Sequence, residues 1–145
     1  MTMMQQSIFT PAAAMMVLTC VVWVYMYIRR IAYLNKHGID AQELAAPESL
    51  AKLIPEAVNR PANNLKNLFE MPVLFYALCV MLFLTGKVNA FYLYAAWIFV
   101  GLRVLHSLIH CTFNKVMLRF VVYFFSSIAL GAMIFRFAFF DLPLF

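Results

Sequence analysis

Charge is what this sequence has least of. From Met1 to Ile28 there is no acidic or basic side chain, and 12% of the whole chain is charged against 66% hydrophobic. A soluble domain of 145 residues cannot keep so apolar a surface in water, which excludes a soluble enzyme or binding module. The sustained polar/apolar alternation of a spanning barrel is missing too. Backbone groups in hydrocarbon must be satisfied within their own segment, so helices are what remains. Cysteines are few and odd in number, Cys20, Cys79 and Cys111, with two of them in apolar runs. That excludes a disulfide or metal framework and leaves them as small packing residues. There is no internal repeat and no low-complexity tract.

What is present is a set of apolar runs: Pro11 to Ile28, Met71 to Gly86, Val88 to Leu102 and Phe120 to Phe135. Crossing a bilayer core takes about 20 residues, so the later runs reach full length only if their polar flanks are helical as well. The expected spans are about 8–30, 66–86, 88–110 and 117–139, in one domain covering 1–145. The first run has no basic start and ends in Arg29 and Arg30 rather than at a cleavage site of small residues. It reads as a retained span, not a secretory leader. The fold class is therefore an all-α integral membrane protein, a four-helix transmembrane bundle.

Orientation follows from Lys and Arg. The connection at about 35–60, with its flanks, carries Arg29, Arg30, Lys36, Lys52, Arg60 and Lys66. The third connection carries Lys115 and Arg119, with Arg103 nearby, whereas the opposite face has only Lys87 and Arg136. Both basic connections are expected in the cytoplasm and both termini on the other side. A bacterial inner membrane is the expected location, with an organelle membrane as the alternative. The net charge of +5 is mostly this asymmetry and leaves no nucleic-acid footprint. Membrane lipid is the implied partner. The first connection is punctuated by Gly38, Pro47, Pro55 and Pro61, with a short surface helix expected from Pro47 to Ile54. The second is a tight turn around Thr85 to Asn89.

The polar residues near the membrane form stripes. On a helix continuing the third span, Arg103, His106, His110 and Asn114 fall within an arc of about 80°. A helix starting at Pro61, a favoured first-turn residue, places Asn63, Asn67 and Glu70 within about 60°, and Pro72 is expected to kink it. Ionisable groups at this depth are costly unless they face a bundle interior or a wet cavity. Two facing stripes therefore imply a shared polar pocket, with Glu70 paired to Arg103 or Arg119. Span-end cations such as Lys115 are equally explained by snorkelling to headgroups. His106 and His110 have the four-residue spacing of metal ligands, but the remaining histidine, His37, lies in a loop, so no metal or haem site is expected.

Asn67-x-x-Glu70 followed by proline, and R-x-x-H-S-x-x-H-x-T-x-N-x-x-x-x-R from Arg103 to Arg119, resemble the MAPEG superfamily, membrane-associated proteins of eicosanoid and glutathione metabolism. The resemblance covers nearly the whole chain. It implies a homotrimer binding glutathione as co-substrate in clefts between neighbouring subunits. By the same resemblance Asn67 and Glu70 hold the tripeptide, with Arg103 and His106 beside them. His110 stands where the prostaglandin synthase branch has tyrosine. Arg119 resembles the arginine that stabilises the glutathione thiolate, and Arg29 or Arg30 the arginine ending the first helix. Two departures stand out: conjugating members carry arginine at the position of Asn63, for which Arg60 is the available substitute, and Pro72 comes one residue early. The implied function is a glutathione-dependent membrane transferase or peroxidase acting on lipophilic electrophiles. The alternative is a non-catalytic lipid-binding or assembly protein of the same fold.

Overall fold

The protein is described here from a computed structural model, in which residues 3–44 and 52–142 are defined. The first long helix, α1, spans Phe9–His37. It outruns the expected end at residue 30 because nothing before Gly38 breaks it. Gly38 closes it in the left-handed region (φ 62°), as a residue without Cβ readily does. At 29 residues α1 is about 44 Å long, more than a hydrocarbon core of about 30 Å, so its last turns stand clear of the core.

Helix α2 spans Glu56–Leu68. It begins five residues before the expected start at Pro61, directly after Pro55, and Glu56 in its first turn suits the positive end of the helix. Pro61 thus lies inside the helix and has no N–H to offer the carbonyl of Ala57 one turn back. Arg29 of α1 fills the vacancy, its Nη2 donating to Ala57 O at 3.2 Å. Arg30 Nη2 donates to Asn59 Oδ1 at 2.9 Å, a second tie between the same helices.

Helix α3, Met71–Leu84, follows after a break at Phe69 and Glu70. The kink expected at Pro72 is this break instead. A proline ring clashes with the carbonyl four residues earlier, here that of Leu68, where α2 ends. Helix α4, Ala90–Cys111, starts at Asn89, whose side chain accepts from Phe91 N at 3.1 Å. Helix α5, Val116–Arg136, runs into one π-helical turn, Phe137–Asp141. Four stretches, Met3–His37, Glu56–Leu84, Ala90–Cys111 and Val116–Asp141, are long and apolar enough to cross a membrane.

The core joins all of these helices. Phe75 of α3 and Phe99 of α4 are fully buried with ring centroids 4.7 Å apart, beside Tyr92, Met15, Leu130 and Met133. Large apolar side chains such as Trp23, Phe124 and Ile128 instead point outward, as lipid contact demands. Cys20 is among the outward-facing residues and Cys111 is half-buried, so of the cysteines expected to pack the interior only Cys79 is fully buried. The surface helix expected at Pro47 to Ile54 falls mostly on 45–51, outside the described residues.

Candidate functional site

Three residues of the expected stripe on α4, Arg103, His106 and His110, are buried on one face of that helix. Asn114 does not continue it. The helix stops at Cys111, and Asn114 sits in the left-handed region (φ 48°) with its N–H on Ile109 O at 2.8 Å. Asparagine tolerates this conformation better than most residues. The turn brings its side chain back to the bundle, where Oδ1 accepts from Arg119 Nη1 at 2.6 Å and Nδ2 donates to Glu56 Oε1 at 2.8 Å.

Asn67 of α2 faces both histidines. Its Nδ2 is 3.5 Å from His106 Nε2 and 3.4 Å from His110 Nδ1, so one amide group serves two rings. His106 Nδ1 lies 3.1 Å from the carbonyl of Arg119. A carbonyl can only accept, so the proton sits on Nδ1 and the lone pair of Nε2 faces the Asn67 amide. His106 is thereby fixed in orientation from both sides.

Arg103 is fully buried, and none of its guanidinium nitrogens has a hydrogen-bond partner among the described residues. It is held by aromatic faces, its guanidinium carbon 4.3 Å from the Tyr123 ring centre and 5.3 Å from that of Phe99. The expected pairing of Glu70 with Arg103 or Arg119 is not formed. The break before α3 turns Glu70 to the exposed surface, where its Oε2 accepts from the Tyr123 hydroxyl at 3.1 Å. Tyr123 thus links the arginine, through its ring, to the carboxylate, through its hydroxyl.

Beside these groups is a cavity of ≈ 200 Å³ lined by Asn67, His106, Val116, Arg119, Phe120 and Tyr123; Arg103, His110 and Glu70 do not line it, and Arg103 lies behind the Tyr123 ring. The remaining expected residues lie apart from it. Arg29 and Arg30 are bound to α2 as described, and Asn63 is half-buried with no hydrogen bond among the described residues. Arg60 donates to the carbonyl of Thr112 and pairs with Glu56 at 3.4 Å. Because Glu56 also receives Asn114, Arg60 is joined to Arg119 through two intermediates.

Two residues were not singled out from the sequence. Tyr123 follows Arg119 by four, the spacing that puts side chains on one helix face, and could have been found that way. Asn64 is fully buried, its Nδ2 3.7 Å from Cys111 Sγ and its Oδ1 without a partner among the described residues. Nothing distinguished it from Asn63 beyond the phase of the helix.

A bundle with four membrane-crossing stretches and a cleft of arginine, histidine, asparagine and tyrosine at one end defines a multi-pass integral membrane protein with a polar site near one membrane face. The profile of the MAPEG family matches residues 8–139, and the chain belongs to that family. Membership sets it, at family level, among membrane proteins of glutathione and eicosanoid metabolism. No curated protein and no solved structure matches the chain.

Proposed function

We propose that the protein is a glutathione-dependent membrane transferase or peroxidase acting on lipophilic electrophiles. The carrying observation is that Arg119, His106, Asn67 and Tyr123 share one cavity. A free thiol has a pKa of about 8.5 and is mostly protonated at neutral pH, and a guanidinium in hydrogen-bonding reach favours the thiolate. Arg119 offers that group, steadied by Asn114. Glutathione carries two carboxylates and one ammonium, a charge pattern that two arginines, Arg103 and Arg119, and one glutamate, Glu70, complement.

In conjugation the thiolate sulfur attacks an electrophilic carbon, the C–S bond forms and the leaving group departs with its electron pair. With a hydroperoxide the sulfur takes the terminal oxygen, the O–O bond breaks and an alcohol leaves after protonation. A second glutathione then reduces the sulfenic acid to a disulfide, with release of water.

The cavity of one chain, ≈ 200 Å³, is smaller than the roughly 300–1,000 Å³ of ordinary small-molecule sites. In our reading a neighbouring subunit of a homotrimer supplies the missing wall. The Lys- and Arg-rich end of the bundle faces the cytoplasm and both termini lie on the other side.

Calorimetric titration of the detergent-solubilised protein with glutathione tests this reading. Binding should weaken on Arg119→Ala and on Glu70→Ala, and undiminished binding by both variants would overturn it. A non-catalytic lipid-binding or assembly protein is the second reading, favoured by the fact that Asn114, Asn67 and His106 already find partners within the chain. That reading requires no turnover of an aryl halide or lipid hydroperoxide, and loss of the oligomer when Glu70 is replaced.

A further inference from the structure

Between α1 and α4 lies a second cavity, of ≈ 260 Å³, that shares no residue with the polar cleft. Its walls are apolar along Leu18, Val21 and Val104, and it ends at Tyr25 and Thr112. Two features do not fit a groove that merely meets lipid tails.

The first is Ser107. It lines the groove, is 3% exposed, and its hydroxyl has no hydrogen-bond partner among the described residues. Hydroxyls on helices in hydrocarbon normally donate to a carbonyl one turn back. Those of Thr19, Thr112, Ser126 and Ser127 all do so here. Ser107 departs from that pattern and keeps a donor free in an apolar wall, at a cost unless something accepts from it.

The second is charge at the mouth. Arg29 Nη1 donates to the Tyr25 hydroxyl at 2.8 Å, and Arg60 Nη1 donates to the carbonyl of Thr112. Both acceptors belong to groove-lining residues, so two guanidinium groups stand at one end. Glu56 pairs with Arg60, whereas Arg29 has no carboxylate within ion-pair distance among the described residues. Thr112 lies five residues beyond Ser107, an offset of about 7.5 Å along a helix. The phosphate and the ester carbonyl of an extended glycerophospholipid are separated by a similar step.

We infer that this groove binds one anionic glycerophospholipid from the leaflet at the basic end of the bundle. Its phosphate meets Arg29 and the remaining hydrogens of Arg60, an ester carbonyl accepts from Ser107, and one acyl chain runs along Leu18, Val21 and Val104. The inference does not depend on glutathione use, since no residue of the thiol cleft takes part.

Native mass spectrometry of the full chain in neutral detergent, titrated with phosphatidylglycerol or phosphatidylcholine of matched acyl chains, tests it. Phosphatidylglycerol should be retained about fivefold more strongly, the effect of one cation at a membrane surface. Arg29→Gln should abolish that preference. Ser107→Ala should weaken binding of ester-linked phosphatidylglycerol about fivefold, the effect of one hydrogen bond, and leave the ether-linked analogue unchanged. Val21→Trp, which fills the groove from a membrane-facing position, should remove retention of both lipids while unfolding temperature stays near that of the parent. Equal retention of the two headgroups, a Ser107→Ala effect on both linkages alike, or full retention in Val21→Trp would each overturn the assignment. So would a Val21→Trp variant that loses its oligomeric state with lipid binding intact, since the groove would then be a surface between copies.

Discussion

Arg119 and Asn114 are locked together, Nη1 to Oδ1 at 2.6 Å, across the short turn that joins α4 to α5. The turn exists because Asn114 adopts φ 48°, and Nδ2 of the same side chain reaches Glu56 at the start of α2. One asparagine therefore fixes a backbone reversal, aims the arginine assigned to the thiolate, and ties in a third helix.

Two substitutions at this position separate its backbone role from its side-chain role. Asn114→Gly keeps the left-handed turn without penalty but deletes both side-chain hydrogen bonds, whereas Asn114→Ala deletes them and adds strain of about 1 kcal/mol. The alanine variant should unfold more readily than the glycine variant by about that amount in denaturant titrations. Glutathione affinity should fall about tenfold in both, because the aim of Arg119 is lost equally and a hydrogen bond to a charged group is involved. Equal stability of the two variants would show that the turn is not strained.

Arg103 yields a less usual expectation. A guanidinium fully buried, with no hydrogen bond among the described residues, contributes little to stability beyond its contacts with Tyr123 and Phe99. Replacing it by methionine, similar in length and apolar, should leave the unfolding free energy unchanged or raise it by about 1 kcal/mol. The same variant should lose measurable glutathione binding. Tyr123→Phe should have the complementary profile, preserving the ring under Arg103 but freeing Glu70, with a stability change below about 1 kcal/mol and weakened binding. A strongly destabilised Arg103→Met would instead mark that arginine as a helix-packing residue.

Much of this site was legible because helical phase is reliable while a helix continues. Arg103, His106 and His110 share a face for that reason, and Asn67 meets the two histidines from α2. Legibility failed where helices stop. Glu70 was phased as if α2 ran through it, but the break imposed by Pro72 turns it outward to Tyr123 rather than to an arginine. Asn114 was phased onto α4 and arrives by a turn instead. Pro61 suits the first turn of a helix, but the start is set by Pro55 and Glu56, and the hydrogen bond that Pro61 forfeits is supplied by Arg29, distant in sequence. No local pattern announces a compensation of that kind.

That compensation can be measured. Arg29→Gln removes the donor to Ala57 O and should destabilise the protein by about 1 kcal/mol in neutral detergent. In a Pro61→Ala background the restored N–H of residue 61 bonds the same carbonyl, so Arg29→Gln should then cost close to nothing. A double-mutant cycle should return a coupling of about 1 kcal/mol between residues that are far apart in the chain. Additive effects would show that the two groups do not share the Ala57 carbonyl.

At the opposite end of the bundle Tyr92, fully buried, donates its hydroxyl to Asp141, and Arg136 reaches the same carboxylate at 3.4 Å while lying over the rings of Phe91 and Tyr92. This cluster fastens the end of α5 to the start of α4, with no residue in common with the polar cleft. Tyr92→Phe removes one donor from a poorly solvated carboxylate and should cost about 1–3 kcal/mol in unfolding free energy, chiefly by loosening the turn Phe137–Asp141. Hydrogen exchange should quicken in that turn and in the first turns of α4. Glutathione titration should be unaltered, because the bundle core of Phe75, Phe99 and Leu130 separates the two ends and packed interiors deform little. If Tyr92→Phe weakened glutathione binding while exchange at the turn stayed slow, the two ends would be coupled through α4 itself, and the division of the molecule into a fastening end and a binding end would fail.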